Sequence, residues 1–296
     1  MATFLTRPLD AAVRALLGDG ADADFLSPPG SMALVAADSV SWRVFKNPVA
    51  LFVGGVAAVL LELAEPRVRE GVWRFSNFRR DPVGRMRRTG MAAMVTVYAA
   101  HERAEALIGE VNRKHGHVRG TTAAGLPFRA LDPELLSWVH ATASFGFLSA
   151  YCTYVRPLNP SARDQFYREA QVSAALYGAL AAPDSEAALQ GQFEAMYPRL
   201  EGSEIIQEFL QIVNAAPVLP RVLAPLQQML VRAAVVLVPE PVRARLGLSD
   251  EFSSIGRGVV NLLGLAGEHL VLASAPAALA CRRLGLPASY LYRKGE

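Results

Sequence analysis

The sequence predicts an all-α protein. In almost every segment, apolar residues recur at the three- and four-residue spacing of an amphipathic helix. No segment shows the sustained apolar–polar alternation, β-branched enrichment and hairpin turns that strands require. Proline and glycine stand between the periodic segments, where they interrupt helices. These three observations together give the fold class.

The clearest helix start in the chain is Asp132-Pro133-Glu134. The aspartate can accept a hydrogen bond from a free backbone N–H, proline suits the first helical position, and glutamate complements the positive end of the helix dipole. Helices are predicted over 8–18, 31–45, 48–64, 66–73, 84–117, 133–155, 160–181, 186–197, 203–214, 218–237, 240–246 and 252–284.

The first predicted helix is amphipathic and does not have the form of a signal peptide. Charged residues interrupt its apolar ones, whereas a secretory signal needs an unbroken apolar stretch and a small-residue cleavage site. The longest apolar run, Val49 to Leu61, has 13 residues, and a helix needs about 20 to cross a bilayer. We therefore expect neither a signal peptide nor a transmembrane helix.

Composition narrows the function classes. The chain is 52% hydrophobic and 19% charged, which is typical of a globular protein. Its 30 basic and 27 acidic residues leave a net charge of only +3, which argues against a nucleic-acid partner. Two cysteines exclude a disulfide framework and a cysteine-rich zinc cluster, so a cytoplasmic protein is expected.

The 296 residues favour one large domain, because no repeat and no low-complexity linker divides them. We expect an N-terminal helix and linker over 1–30, a main helical domain over 31–250, and a C-terminal helical extension over 251–296 that packs on the same domain.

Two histidines stand one residue apart at the end of the helix predicted over 84–117. Counting back from His115 by helical steps reaches only apolar residues, whereas counting back from His117 reaches charged ones. His115 is therefore expected to face the core and His117 the solvent. Arg119 would share the face of His115 if the helical turn continued, and the pair would then point to an anionic group nearby. A core histidine bonded to a carbonyl is the commoner alternative.

His140 is a second histidine expected to face inward, since it shares a helix face with Leu136, Ala143 and Phe147. Together with His115 it favours a cofactor site. Neither histidine belongs to a zinc signature such as H-E-x-x-H, and no carboxylate stands beside them at ligand spacing. A metal hydrolase built on the two would lack a third ligand.

The stretch 78–89 holds five arginines against one aspartate. Such a run is usually a solvated face or a phosphate-binding patch. Arg85, Arg88 and Thr89 nevertheless stand at i, i+3 and i+4, on one side of a helix. An inward arginine there would need a carboxylate, a bound anion or a ligand as its partner.

Taken in order, four motifs resemble the MpaB and rubber oxygenase (latex-clearing protein) family. The resemblance spans roughly residues 30–250. The motifs are Arg85-x-x-Arg88-Thr89, His115-x-x-Val118-Arg119, the stretch Leu131-Asp132-Pro133-Glu134-Leu135-Leu136-x-Trp138-Val139-His140-Ala141-Thr142, and Val238-Pro239-x-Pro241-Val242-Arg243-x-Arg245-Leu246-Gly247-Leu248.

The resemblance implies a helical fold with a globin-like core that holds a non-covalent haem b. It also implies that His115 is the proximal ligand of the iron and that His117 lies at the surface. Arg119 and His140 would help to bind the cofactor, with Arg119 steadying haem or a propionate.

Arg85, Arg88 and Thr89 would shape the oxygen side of that haem. Rubber oxygenases have an R-x-x-K-T pattern whose lysine can ligate the iron, and Arg88 stands in the place of that lysine. Arginine stays protonated, so it donates hydrogen bonds and ligates iron poorly. The resemblance then implies an open or water-occupied distal position, dioxygen as co-substrate, and an apolar lipid or isoprenoid as substrate.

The resemblance sets a geometric condition. In one straight helix, Arg88 and His115 would be about 40 Å apart at a rise of 1.5 Å per residue, too far to serve one haem. We therefore expect the chain to fold back near Ala99-Ala100-His101-Glu102, although no glycine or proline marks that place.

A rival hypothesis is a non-catalytic haem- or lipid-binding protein at a membrane surface, with peripheral membrane contact. It depends on two apolar stripes in the last third of the chain, which ordinary core packing also explains. The stripes are Val222, Leu226, Met229, Leu230 and Ala233 on one helix, and Val259, Leu262, Leu263 and Leu270 on another.

Overall fold

The computed structural model describes residues 24–249 and 251–292, and within them the all-α prediction is confirmed. The predicted helix over 8–18 lies outside the described residues. The helices are α1 Val40–Phe45, α2 Pro48–Ala64, α3 Pro66–Phe75, α4 Pro82–Tyr98, α5 His101–His115, α6 Pro133–Tyr154, α7 Pro160–Tyr177, α8 Glu186–Met196, α9 Glu204–Ala215, α10 Ala224–Leu237, α11 Glu240–Arg245, α12 Ser254–His269 and α13 Pro276–Arg283.

One small antiparallel ribbon joins α5 to α6. Its strands are β1, Arg119–Thr121, and β2, Pro127–Arg129. Arg119 pairs with Arg129, Gly120 with Phe128, and Thr121 with Pro127. The ribbon places the end of α5 beside the start of α6.

The helix starts that the sequence marks most clearly are found where predicted. The Asp132 carboxylate accepts a hydrogen bond from the Glu134 backbone N–H at 2.9 Å, and Pro133 begins α6. Asn47 and Asn159 cap α2 and α7 in the same way, each followed by proline at the first helical position. Capping explains why these bounds could be predicted.

Several predicted helices are shorter or divided. The helix predicted over 31–45 begins only at Val40, because the Ser39 side chain caps it there. The helix predicted over 252–284 divides into α12 and α13, and the proline at the start of α13 explains the break.

The helix predicted over 84–117 divides into α4 and α5 at Ala99–Ala100, where the chain was expected to fold back. Both alanines have extended ψ angles and are buried. The backbone N–H of His101 donates to the carbonyl of Met32 at 2.9 Å, a bond to a distant segment. The break between α4 and α5 therefore coincides with packing against the segment around Met32. No residue pattern at the break itself predicts it.

Helices α2 and α6 form the centre of the core and run antiparallel. Their backbones touch at Gly54 and Gly146, where a Cβ on Gly54 would lie 2.7 Å from the Gly146 carbonyl oxygen. Just beyond the end of α2, the guanidinium of Arg67 on α3 bonds the carboxylate of Glu134 at the start of α6, at 2.9 Å. Glycine is required at the crossing because any side chain there would separate the two helices.

The C-terminal helices join the same core. Lys46 forms a buried ion pair with Glu268 of α12 at 3.0 Å, and Tyr151 of α6 donates to the same carboxylate at 2.8 Å. The buried Arg283 of α13 donates to the carbonyls of Phe25, Ser31 and Tyr98, at 2.8 to 2.9 Å.

In the part of the chain that the structure describes, no helix on its own combines the length and the apolar character needed to span a membrane. Only α2 and α3 taken together reach that length and composition, and a bend of 111° separates them. Most of α2 is buried in the core.

Candidate functional site

One stripe of the central helix α2 stays only partly covered. Leu51, Gly55, Val59 and Glu62 are half-buried, at helical spacing, whereas the opposite face of the helix is fully buried. A Cβ added at Gly55 would meet a single atom within 4 Å, Phe147 Cε1 at 3.9 Å. The stripe therefore faces a loosely packed part of the protein, which we call the inner cleft.

Three other helices contribute half-buried stripes of the same kind. Arg85 and Thr96 lie on α4, Val111 and His115 on α5, and His140 on α6. Thr96 also lies 3.2 Å from the Tyr177 hydroxyl at the end of α7. The charge of Arg85 acts on both Glu62 and His115, so α2, α4 and α5 bring these three side chains near one another.

Glu62 is a functional candidate that the sequence analysis missed. Burial raises its pKa from an ordinary value near 4.5 to about 7, and the charge of Arg85 offsets part of that rise. Protein atoms surround the Glu62 carboxyl closely enough to raise its pKa, yet part of the side chain stays accessible. This combination is expected for a residue that lines the inner cleft. The signal was available, because Glu62 is the only charged residue within α2.

Arg85 is the cation of the inner cleft. Burial lowers the pKa of its guanidinium, the carboxylate of Glu62 raises it, and Arg88 lowers it further. Arg85 Nη1 donates to the Thr89 hydroxyl, and that hydroxyl donates to the Arg85 carbonyl at 2.9 Å. Thr89 therefore fixes the rotamer of Arg85.

Arg88 does not face the cleft, although the sequence analysis expected it beside Arg85 on the oxygen side. It is exposed, and its Nη1 bonds the Asp81 carboxylate at 3.2 Å. Asp81 is the N-terminal cap of α4, so this ion pair directs Arg88 along the exposed start of the helix. Thr89 is exposed as well, and it reaches the cleft only through Arg85.

His115 is the last residue of α5 and is half-buried, as its periodicity predicted. Burial lowers its pKa, and the charge of Arg85 lowers it further, so the imidazole is neutral at pH 7. This interaction also shows that α5 returns toward the start of α4. The Nδ1 atom is buried without a hydrogen-bond partner, and Nε2 has none among the described residues.

The residues after His115 leave the helix. His117 is exposed, as predicted, and Arg119 is exposed on β1 rather than on a continuing helical turn. Arg119 nevertheless stays near His115, because both line a hollow of about 520 Å³. The lining of this His115 hollow is His115, Gly116, Val118, Arg119, Arg129, Leu131, Asp132 and Pro133.

His140 lies on α6, two turns after Pro133. Burial alone lowers its pKa from 6.5 to about 4, and its Nδ1 is buried without a partner. Glu62 lies two turns beyond Gly54, and His140 six residues before Gly146, so antiparallel packing of α2 and α6 brings the two to about the same level.

These residues fit a b-type haem. An iron porphyrin needs a neutral imidazole with a free ring nitrogen, space for a flat apolar ring, and cations for its carboxylates. His115 would supply the neutral imidazole, and Arg119 at the rim of the His115 hollow would supply a cation. The uncovered position at Gly55 would supply part of the space for the ring. A group of three His, Cys, Asp or Glu side chains able to hold a bare metal ion is absent from residues 24–249 and 251–292.

Comparison with known protein families decides the assignment. Residues 42–266 match the family described as ER-bound oxygenase mpaB/B'/Rubber oxygenase, catalytic domain. The chain belongs to this family. No curated protein and no solved structure matches the chain. The match confirms the resemblance that the four motifs carried, and it identifies most of the protein as the catalytic domain of an mpaB/rubber oxygenase. It begins within α1 and ends within α12, so all four helices around the inner cleft lie inside it.

Proposed function

We propose that the protein is a haem b-dependent oxygenase in which His115 is the protein ligand of the iron. The observation that carries the proposal is the state of His115. It is neutral at pH 7, it lines the His115 hollow within reach of the charge of Arg85, and neither ring nitrogen is bonded within the described chain. A buried imidazole without a hydrogen bond is costly, and coordination to a metal would satisfy it.

When bound, haem supplies the iron at which dioxygen is activated. The residues of the chain position the substrate and stabilise the charge that develops on it. Val59 is a half-buried apolar residue of the α2 stripe, and in this proposal it gives the cleft an apolar wall that would accept a hydrocarbon chain. The fixed guanidinium of Arg85 stabilises negative charge that develops in the cleft, as a preorganised cation does in a site of low dielectric.

Glu62 is the proton-transfer group in this proposal. With its pKa at about 7, the carboxyl oxygen can accept a proton at neutral pH and return it within the same turnover. The proposal assigns the carboxyl to the cleft because the charge of Arg85 acts on it. His140 is neutral and lines the same space, where we assign it to contact with the cofactor.

Arg85, Arg88 and Thr89, which were expected on the oxygen side, have different roles in this proposal. Arg85 is the residue that faces the cleft, and Thr89 positions it. Arg88 is assigned to the ion pair with Asp81 in the present conformation. The substrate that fits the apolar walls is a lipid or isoprenoid with a carbon–carbon double bond, which dioxygen would cleave to carbonyl products.

The absorption spectrum of the purified protein tests the proposal. We expect a Soret band that shifts on reduction with dithionite and shifts again on addition of carbon monoxide, because carbon monoxide would bind the iron if His115 were its one protein ligand. A protein without a Soret band, even after addition of haemin, would contradict the proposal. A band that did not shift with carbon monoxide would show that a second side chain ligates the iron and that His140 has another role.

A second candidate function, contact with a membrane surface, is favoured by the exposed face of α12. Ile255, Leu262 and Leu265 are 79%, 68% and 50% exposed. Arg257 is exposed on the same helix, and α12 has no exposed acidic residue. An apolar helix face with a basic residue is typical of peripheral lipid binding. The two apolar stripes predicted in this region are only partly exposed. Leu230 and Ala233 are buried in the core, whereas Val222 and Leu262 are exposed.

Vesicle sedimentation tests this candidate. The triple variant Ile255→Ser, Leu262→Ser and Leu265→Ser is expected to lose binding to vesicles of neutral and anionic lipid, because it removes the apolar face. Leu180→Ser, at another strongly exposed leucine, is the matched control and should bind as the unaltered protein does. Equal binding by all three proteins would rule out α12 as the lipid contact.

A further inference from the structure

The β1–β2 ribbon places two arginines directly opposite each other. Arg119 and Arg129 are cross-strand partners. The Ala130 N–H donates to Val118, and the Thr122 N–H to Leu126, so the alternation of the ladder makes Arg119 and Arg129 a non-hydrogen-bonded pair. Side chains in such pairs are the closer ones, and like charges at that spacing destabilise a ribbon.

No carboxylate of the described chain neutralises this pair. Neither guanidinium has a hydrogen bond or ion pair to another described residue. The nearest candidate is Asp132, which also lines the His115 hollow. Its carboxylate caps α6 at the Glu134 N–H and forms no ion pair with either arginine. Both side chains are exposed, so water screens part of their repulsion, and no carboxylate within residues 24–249 and 251–292 balances the rest.

Both arginines line the hollow that contains His115. Their backbone positions are fixed by the ribbon, since the Phe128 ring packs over Gly120, where a Cβ would lie 2.9 Å from Cζ. Two guanidinium groups at one rim can hold a carboxylate through paired N–H donors, which is the geometry that arginine recognises best.

We propose that Arg119 and Arg129 form a carboxylate clamp for the ligand of the His115 hollow, and that Arg129 is a binding residue of this site. The proposal rests on the proposed function in placing a ligand beside His115. The carboxylate is either a propionate of haem or the free acid group of a lipid substrate. In both cases the anion removes the repulsion between the two arginines, so binding also stabilises the ribbon.

The experiment compares each ligand with its ester. The proteins are the unaltered chain, Arg119→Gln, Arg129→Gln, the double variant, and Arg113→Gln, which removes an exposed charge on α5 outside the hollow. In the first arm each protein is loaded with haem b or haem dimethyl ester, and transfer of the haem to excess apomyoglobin is timed. In the second arm, calorimetry measures binding of dodecanoate and of methyl dodecanoate.

We expect the unaltered protein to hold the acid form at least about tenfold more strongly than the ester in one arm, since charge-assisted hydrogen bonds are lost with the ester. The double variant should lose that preference, each single variant should lose part of it, and Arg113→Gln should keep it. A preference in the haem arm assigns the clamp to propionates, and one in the dodecanoate arm assigns it to a lipid carboxylate.

Two results would overturn the clamp: no acid preference in the unaltered protein in either arm, or a preference that the double variant retains. Failure of the proposed function looks different, because the chain would then bind no haem while the dodecanoate arm still reports on the clamp. Folding of the variants is checked by circular dichroism, and removal of one arginine should leave the unfolding midpoint unchanged or slightly raised.

Discussion

Glu62 shows at the residue scale how burial raises the pKa of a carboxyl group. The sequence contained the signal, a lone carboxylate in an apolar helix, but the signal has meaning only when neighbouring helices are known to enclose it. The inward position of His115 could be predicted, because the apolar residues on its side of α5 are visible in the local sequence. The sequence left open whether Arg85 or Arg88 faces inward, because helical spacing places the two on one side of α4 and cannot reveal that Arg88 pairs with Asp81 at the surface.

The raised pKa of Glu62 predicts how stability varies with pH. Between about pH 4.5 and 7 the unfolded chain releases a proton from this carboxyl while the folded chain retains it, so ionisation costs stability as pH rises. Glu62→Gln removes that cost. The variant should match the unaltered protein at pH 4 and exceed its free energy of unfolding by about 2–3 kcal/mol at pH 8.

Urea unfolding of the haem-free proteins at pH 4, 6 and 8 measures this difference. Other titrating groups contribute equally to both proteins and cancel. Glu102→Gln, at an exposed glutamate of α5, is the control and should show no such trend. A Glu62→Gln difference that stayed constant with pH would mean that the carboxyl has an ordinary pKa.

At the scale of elements, caps and prolines determined what could be predicted. The bounds of α2, α6 and α7 follow from Asn or Asp followed by proline. The break between α4 and α5 carries no such signal, because a bond from His101 to the distant Met32 carbonyl accompanies it. The family resemblance predicted the break, because Arg88 and His115 would lie too far apart in one straight helix to serve the same haem. Local helix propensity gives no such information.

The close crossing of α2 and α6 predicts a strong effect of a single methyl group. Gly146→Ala would place its Cβ against the carbonyl oxygen of Gly54, so the helices must separate. We expect a loss of about 2 kcal/mol or more in the free energy of unfolding. Because α2 and α6 also form walls of the inner cleft, affinity for haem should fall as well.

Gly191→Ala is the matched control, since a Cβ at that position of α8 would meet nothing within 4 Å. It should leave stability unchanged or raise it by up to about 1 kcal/mol, because alanine favours a helix over glycine. Thermal unfolding of the two variants and the unaltered protein gives the comparison. Equal stability of Gly146→Ala and Gly191→Ala would exclude a tight crossing.

At the scale of the whole molecule, long-range polar contacts unite the chain. The ion pair between Lys46 and Glu268 ties α12 to the core, and Arg283 ties α13 to segments near Phe25 and Tyr98. The division into 31–250 and 251–296 stays a prediction. No sequence pattern identified Arg283, because its partners are backbone carbonyls, which any residue carries.

Arg283→Met tests how much the C-terminal contact contributes. The variant leaves the carbonyls of Phe25, Ser31 and Tyr98 without their donors, and we expect a loss of about 3 kcal/mol or more. The neighbouring exposed Arg282→Met should change stability by less than about 0.5 kcal/mol. Denaturant unfolding compares the two, and similar losses in both would show that Arg283 acts only through charge.

The central claim, that His115 is the iron ligand, is tested most directly by absorption spectra of His115→Ala and His140→Ala with and without free imidazole. His115→Ala should lose or strongly shift the Soret band and regain it when imidazole fills the space of the missing ring. His140→Ala should keep the iron ligand and show at most weaker haem retention. A His115→Ala spectrum identical to that of the unaltered protein, or loss and rescue at His140 instead, would contradict the account.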